Sequence, residues 1–150
     1  MIQPELSSSN FPSGFRRRII IQSAPGLVTA GLEDDVHRFI LRLSHNQRVI
    51  SGIQARAERF PWTTCPDAGD FLADQLIGRS LDEIAQLDPR QHCTHLFDLV
   101  LLCVEWAGET QSIQYDLLVA DRVERRTSAL LLEDGVPRLE WQLEGTLIAG

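Results

Sequence analysis

The sequence predicts an α+β fold in which an antiparallel sheet with a hairpin carries three helices on one face and continues into a C-terminal three-stranded antiparallel meander. Apolar residues alternate with polar ones over residues 36–43 and 49–58, on either side of a polar turn. Residues 61–107 instead place their apolar side chains at helical spacing, and alternation returns after Gly108. A chain of 150 residues suits one domain of this kind.

Composition and charge exclude several functional classes. The chain has 14 Lys and Arg against 21 Asp and Glu, for a net charge of -7, so we expect no binding to nucleic acid or to an anionic membrane surface. The N-terminus lacks the order of charged and apolar residues found in secretory signals, and no apolar run is long enough to span a bilayer. Three cysteines are too few for a disulfide framework. We therefore predict a cytoplasmic protein.

The N-terminal region is predicted to be a flexible tail over residues 1–15, followed by a single domain over residues 16–150. The tail is rich in Ser and Pro and has little to bury. Arg16, Arg17 and Arg18 open the domain, and we interpret this run of like charges as a solvated strand edge. The first strand is predicted to start at Ile19.

The predicted hairpin places its first strand at residues 36–43. The side chains expected on its inward face are those of His37, Phe39, Leu41 and Leu43. If the turn centres near Asn46, Asp35 lies near Ala57. The same register puts Glu33 near Arg59, so we expect charged side chains to gather at the open end of the hairpin.

Three helices are predicted after Pro61. The first runs to about Ile77 and has Cys65 near its N-cap. The second begins with a capping box formed by Ser80 and Glu83. The third covers residues 93–107, begins at Cys93, and carries Cys103 on an apolar face that is typical of the core.

The C-terminal meander is predicted from three alternating segments. Its last two strands are expected to join at Asp134 and Gly135, a pair typical of tight hairpin turns. The final strand alternates Leu139, Trp141 and Leu143 with polar residues. One face of the meander is therefore predicted to be buried.

Two cysteines at helix starts suggest a metal site. A helix N-terminus favours a thiolate, which is the form of Cys that binds metals. Asp35 and His37 lie two apart in the predicted strand and so share its inward face. Together with His37 or His92 as a fourth ligand, the set of Asp35, Cys65 and Cys93 mixes oxygen, sulfur and nitrogen donors. We therefore predict Zn or Fe at this site.

Catalytic and substrate-binding residues are predicted beside the metal ligands. His37 and His95 are candidates for proton transfer, and Asp98, three residues after His95 on a helix, could orient its imidazole. Trp62 fits two interpretations, a core side chain or a surface on which substrate stacks, and the first is favoured. The residues expected to contact substrate are Glu33, Asp34, Arg59 and Trp62.

Three strings of residues resemble an uncharacterised bacterial family that is catalogued as a domain of unknown function. They are LEDDVH at residues 32–37, PWTTCP at 61–66 and CTHLFDL at 93–99. The resemblance covers the chain from about residue 15 to its end. Some relatives are associated with the breakdown of lignin-derived aromatic compounds, so the resemblance implies a carbon-carbon lyase or a decarboxylase.

The layout of residues 33–107 is also similar to that of the NifU-like iron–sulfur cluster scaffold proteins. The positions that match the scaffold motif are Asp35, Cys65, residues 78–83, and His92 with Cys93. Glu33 stands where the scaffolds have their first Cys. The resemblance therefore implies a related fold and ligand region, while three-thiolate cluster assembly lacks one of its ligands.

Three functional hypotheses follow from these residues. The favoured one is a small lyase that acts on a small aromatic substrate with a Cys, His and Asp site. It needs no nucleotide cofactor, in keeping with the lack of a glycine-rich nucleotide-binding motif. The alternatives are a non-enzymatic metal or iron–sulfur carrier and a metal-free binding module. Any of the three is compatible with a homo-oligomer.

Overall fold

Seven antiparallel strands form one continuous sheet in the computed structural model, which describes residues 13–144. Along the sheet the strands lie in the order β4-β3-β2-β1-β5-β6-β7. Their bounds are β1 Gly14–Ala24, β2 Leu27–Asp34, β3 Arg38–Asn46, β4 Val49–Arg59, β5 Ser112–Ala120, β6 Arg126–Glu133 and β7 Val136–Glu144.

The helices are small and occupy the connection between β4 and β5. They are α1 (Ala68–Leu76), α2 (Leu81–Ile84) and α3 (Thr94–Glu105), with a single 3₁₀ turn at Pro89–Gln91 between the last two. The prediction of three helices packed on one face of a hairpin, followed by a separate meander, is wrong. The molecule is mainly one large sheet, because the hairpin and the meander belong to it together.

Strand β2 is the element that the sequence prediction lacked. A Pro25-Gly26 turn, with Gly26 at a φ of 74°, joins it to β1. Its buried positions alternate with less buried ones, and they are Val28, Ala30, Leu32 and Asp34. Ala30 and Gly31 are weak strand formers, and strand propensity therefore did not predict a strand at these residues.

The centre of the sheet is β1, which pairs with β2 on one side and with β5 on the other. The interpretation of Arg16, Arg17 and Arg18 as a solvated strand edge is therefore wrong. Arg17 and Arg18 lie in the middle of the sheet, and each makes an ion pair with an Asp on a neighbouring strand.

The main core lies between the helices and one face of β1 to β4. Helix α1 packs on β4, and α3 packs on β2 and β3. The approach of α1 is close, since a Cβ added at Gly69 would lie 2.8 Å from the Cβ of Ala55. The largest fully buried core side chains include Phe39, Phe97, Ile21, Leu41, Leu72 and Leu96.

Several local predictions are confirmed and others shift by a few residues. The capping box of Ser80 and Glu83 is present, and Asp134-Gly135 forms the β6–β7 turn with both φ angles positive. The β3–β4 turn falls at Gln47 and Arg48 rather than at Asn46, so Leu43 pairs with Ile53. Helix α1 begins at Ala68, because residues 61–67 form successive turns.

The predicted tail lies mostly outside the described residues, which start at Ser13. Gly14 and Phe15, the end of that tail, already belong to β1. None of the helices within residues 13–144 combines the length and the apolar character that crossing a lipid bilayer requires.

Candidate functional site

Three elements bring a carboxylate and two imidazoles together at one end of the sheet. Asp34 is the last residue of β2, His37 follows it across a tight two-residue turn, and His95 lies in the first turn of α3. One ligand atom from each of the three lies within 4.8 Å of the others. The described residues contain no other such group of three or more His, Cys, Asp or Glu side chains, and this group could hold a metal ion.

The carboxylate of Asp34 is saturated with hydrogen bonds. Its Oδ1 accepts from the backbone amides of Val36 at 2.9 Å and His37 at 2.7 Å, and from Nδ1 of His37 at 3.0 Å. Its Oδ2 accepts from Nε and Nη2 of Arg17, at 3.0 and 2.7 Å. The side chain is 1% exposed, so these donors replace the water that the carboxylate would otherwise bind.

This hydrogen bonding keeps Asp34 ionised. Burial acts to raise the pKa of Asp34, but hydrogen bonds from Arg17, from the amides of Val36 and His37 and from the His37 side chain outweigh burial and lower the pKa to about 2. A permanent negative charge therefore lies beneath His37 at neutral pH.

His37 is fixed at one ring nitrogen and open at the other. With Asp34 ionised, Nδ1 carries the proton that is donated to Oδ1, which leaves Nε2 as the nitrogen that can accept a proton. Among residues 13–144, nothing hydrogen-bonds this Nε2. The ring centre of the imidazole lies 3.9 Å from that of His95, with the two rings tilted by 34°, and the imidazole stacks on Phe39 at 5.9 Å. Its side chain is 17% exposed and is therefore partly accessible to solvent.

His95 is held in the neutral state. Its Nε2 lies 3.2 Å from Nη2 of Arg17, and since a guanidinium can only donate, Nε2 accepts and the proton is on Nδ1. Burial, then the nearby His37 and Arg17, lower the pKa of His95, against weaker opposing effects of Asp34 and Asp98. The site thus contains one oriented imidazole and one neutral imidazole.

Arg17 is the residue of this site that the sequence prediction missed. Its guanidinium bridges Asp34 and His95 and lies over the ring of Phe15, 5.2 Å from the ring centre. The sequence could have indicated this role, because Arg17, Ile19 and Ile21 are spaced two apart on one strand and so share a face, and Ile19 and Ile21 face the core. An inward-facing Arg on one strand calls for an inward-facing carboxylate on its neighbour.

The predicted metal ligands are not gathered into one group. Asp35 is exposed in the turn between β2 and β3. The inward position that was predicted for Asp35 is occupied by Asp34 instead. The predicted strand begins at Val36, two residues before β3 does, and the inward-facing carboxylate was therefore assigned to Asp35 instead of its neighbour Asp34. Cys65 lies in the turns before α1, and Cys93 is the N-cap of α3, as predicted. His92 stacks on Phe97 at 4.8 Å.

The predicted substrate-binding residues surround the same end of the sheet. Arg59 donates to Oε1 of Glu33 and to the backbone oxygen of Asp34, both at 2.7 Å, which confirms that Glu33 lies near Arg59. Trp62 is 71% exposed, so its interpretation as a core side chain is wrong. Asp98 is also exposed, and its charge acts on His95 without a hydrogen bond between them.

A separate shallow concavity lies on the opposite face of the sheet. Its lining includes Arg18, Ile20, Glu33 and Arg38. These residues occupy strand positions whose side chains point to the face opposite that of Arg17 and Asp34. None of its lining residues belongs to the group of Asp34, His37 and His95.

A metal ion fits the donor set but competes with Arg17. Two imidazole nitrogens and one carboxylate oxygen suit Zn or non-haem Fe better than Mg or Ca. Arg17 already donates to Asp34 Oδ2 and to His95 Nε2. Ion binding at those two atoms therefore requires the guanidinium to move, since a cation cannot share its ligands with another cation at hydrogen-bond distance.

Comparison of the chain with models of protein families, with curated proteins and with solved structures finds no match. Any functional assignment therefore depends on the geometry of the site.

Proposed function

We propose that this protein is a small lyase that breaks a carbon–carbon bond, or removes a carboxyl group, in a small anionic substrate with an aromatic ring. The observation that carries the proposal is the pair formed by Asp34 and His37. A buried carboxylate that stays ionised orients the imidazole through Nδ1 and leaves Nε2 as the nitrogen that can accept a proton. This is the arrangement of a general base.

The proton transfer would use this nitrogen. Nε2 of His37 removes a proton from a substrate hydroxyl, the oxygen becomes a carbonyl, and the electron pair of the broken carbon–carbon bond passes to the departing carbon. His37 then returns the proton to that carbon, so the enzyme ends in its starting state. In the loss of an ionised carboxyl group, carbon dioxide leaves, the electron pair of the broken bond stays on the remaining carbon, and that carbon takes up a proton that solvent supplies through the imidazole of His37. Asp34 stabilises the imidazolium that forms in between.

The substrate class follows from the surroundings of His37. Arg17 is 21% exposed in its side chain and supplies a positive charge for a substrate carboxylate or for the charge that develops during the reaction. The ring of His95 lies against His37, and the ring of Phe15, which is 37% exposed, lies against Arg17. Flat apolar surfaces of this kind favour an aromatic substrate.

Turnover of a defined panel tests the proposal. We would incubate the protein with vanillate, ferulate, protocatechuate and aromatic hydroxy acids that can undergo retro-aldol cleavage, and follow products by mass spectrometry. Substitution His37→Ala should lower turnover by about 100-fold or more, while His45→Ala, on β3 but away from the group, should not. Full turnover in His37→Ala would reject the role of His37.

A metal-dependent form of the same enzyme is the second candidate, favoured by the three ligand atoms within 4.8 Å. In it, Asp34, His37 and His95 would hold Zn or Fe, which would polarise a substrate oxygen. Elemental analysis of protein purified without metal-affinity resin separates the two forms. About one metal per chain, lost in His95→Ala, would favour the metal-dependent form, and a metal-free active protein would favour the first.

A further inference from the structure

A row of leucines continues from Arg17 across the sheet to β7. It follows the register of the strands, because Leu117 pairs with Arg17, Leu131 pairs with Leu117, and Leu139 pairs with Leu131. Side chains at directly paired positions share one face of a sheet. The row therefore lies on the face that the helices cover at β2 to β4, and its three steps between strands span about 14 Å.

A second row lies beside the first, two residues along each strand. It consists of Phe15 on β1, Val119 on β5, Ala129 on β6 and Trp141 on β7, which pair in that order. The two rows are about 7 Å apart, and together we call them the apolar floor. Apart from Arg17 at its inner end, every residue of the floor is apolar.

The outer half of the apolar floor is open. The helices pack on β2, β3 and β4, whereas Leu139 and Trp141 lie on the last strand of the sheet and are 52% and 40% exposed. The burial predicted for this face of the meander is therefore not achieved at β7 by the described part of the chain. Exposed apolar side chains that form a continuous patch mark a binding surface, which scattered ones do not.

The inner end of the floor offers one hydrogen-bond donor to an anion. Nε and Nη2 of Arg17 donate to Asp34, and Nη2 also contacts His95. Within residues 13–144, nothing accepts a hydrogen bond from Nη1 of Arg17. The guanidinium lies over the ring of Phe15, 5.2 Å from the ring centre, and so against the second row. One such donor beside an ionised carboxylate suits a singly charged carboxylate better than a phosphate.

An ion pair borders the floor beside the row of leucines. Glu133 pairs with Tyr115 two residues away from that row, and Arg138 donates to Oε1 of Glu133 at 2.6 Å. Because these two charges satisfy each other, they limit the width of the apolar surface without adding an unpaired charge to it.

From this arrangement we propose that the apolar floor binds a free carboxylate with a single apolar chain. The carboxylate accepts from Nη1 of Arg17, and the chain runs between the two rows toward Trp141. The width of about 7 Å admits one chain, and the length of about 14 Å suits a chain of medium length. The proposal deepens the proposed function by giving the substrate an apolar chain, and it rests on that function only for the choice of Arg17 as the anion site.

Calorimetric titration of the full chain with unreactive carboxylates tests the proposal. Dodecanoate, kept below its micelle concentration, should bind with saturation at one molecule per chain. Octanoate should bind at least about tenfold more weakly, since it leaves the outer half of the floor uncovered. Dodecyltrimethylammonium has the same chain and the opposite charge, and it should also bind at least about tenfold more weakly because Arg17 repels it.

Matched variants locate the chain and the carboxylate. Leu139→Glu puts a charge in the row of leucines and should weaken dodecanoate binding by about tenfold or more. Ile77→Glu is the control and should stay within about twofold of wild type, since Ile77 is 49% exposed at the end of α1, which packs on β4 at the opposite edge of the sheet. Arg17→Gln should remove the preference for dodecanoate over the ammonium. Circular dichroism checks that each variant is folded, and Leu139→Glu, at an exposed position, keeps the test valid if Arg17→Gln is not.

Three results would overturn the proposal. They are the lack of saturable dodecanoate binding, equal affinity for dodecanoate and the ammonium, and unchanged binding in Leu139→Glu. Sedimentation of the wild type adds a fourth, because a dimer that Leu139→Glu dissociates would assign the floor to a second copy of the chain. Turnover of the panel without dodecanoate binding would reject the floor alone, whereas dodecanoate binding without turnover would reject the lyase alone.

Discussion

Nδ1 of His37 lies 3.0 Å from Oδ1 of Asp34, across the turn that joins β2 to β3. The same Oδ1 accepts the backbone amide of His37, so the backbone and the side chain of one residue are fixed by one oxygen. This relationship depends on a short turn and an inward carboxylate, both local features of the sequence. It gives the imidazole a defined orientation before any substrate binds.

Asp34→Asn should flatten the acid limb of the stability profile. The folded pKa of about 2 lies below the usual 3.8, so Asp34 contributes about 2 kcal/mol above pH 3.8, and this is lost as the pH falls from about 4 to 2. Urea unfolding across that pH range measures the loss in the wild type. Asp35→Asn, at the exposed neighbour, is the control and should keep the wild-type slope. Equal slopes in all three proteins would contradict the bonding described for Asp34.

His95 should contribute a second, separate pH dependence. Its folded pKa is lowered below the usual 6.5, so the folded state favours neutral imidazole, and the contribution is complete above pH 6.5 and is lost as the pH falls through the folded pKa. Imidazole ¹⁵N spectra should show His95 neutral at pH 7, with its proton on Nδ1. Substitution Arg17→Gln should raise this pKa, because it removes a nearby positive charge. A proton on Nε2 would contradict the contact with Arg17.

The three cysteines should differ in reactivity. Cys103 is fully buried, and burial raises the pKa of its thiol to about 12, whereas Cys65 and Cys93 are partly accessible. A thiol reagent at pH 8 should therefore label two cysteines rapidly in the native protein and the third only after unfolding. Cys103→Ala is the matched control and should remove the slow phase alone. Rapid labelling of three thiols in the native state would contradict the burial of Cys103.

Gly69 should be required for the contact between α1 and β4. An added Cβ would lie 2.8 Å from the Cβ of Ala55, so Gly69→Ala should lower the free energy of unfolding by about 1–3 kcal/mol despite the better helix propensity of Ala. In an Ala55→Gly background the same substitution should cost less, because the opposing methyl group is gone. Chemical unfolding of the four proteins of this cycle measures the coupling. Additive effects would mean that the two positions do not touch.

The sequence predicts local structure well where the signals are local. The Asp134-Gly135 turn, the capping box of Ser80 and Glu83 and the start of α3 at Cys93 each depend on a few adjacent residues, and each is present. The pairing of β1 with β5 joins residues almost a hundred positions apart, for which a single sequence holds no comparable signal. The single continuous sheet could therefore not be derived, although the hairpin and the meander could.

The site was predicted in part for the same reason. His37 faces inward as its alternation with Phe39 indicates, and His95 joins it. The carboxylate was assigned to Asp35 because the strand was started two residues too early, at Val36, and Arg17 was assigned to solvent because β1 was taken as an edge. Cys65 and Cys93 fit a ligand pattern in sequence, but a helix start alone does not bring two thiols together.

The central claim is that Asp34 orients His37 as the proton-transfer group of the site. Its most direct test compares turnover of a substrate identified from the panel by chelator-treated wild type, Asp34→Asn and Asp35→Asn. We expect that chelation leaves turnover intact, that Asp34→Asn lowers it by about 100-fold, and that Asp35→Asn leaves it within about twofold of wild type. Full turnover in Asp34→Asn, or equal losses in both variants, would show that Asp34 does not orient His37 for proton transfer.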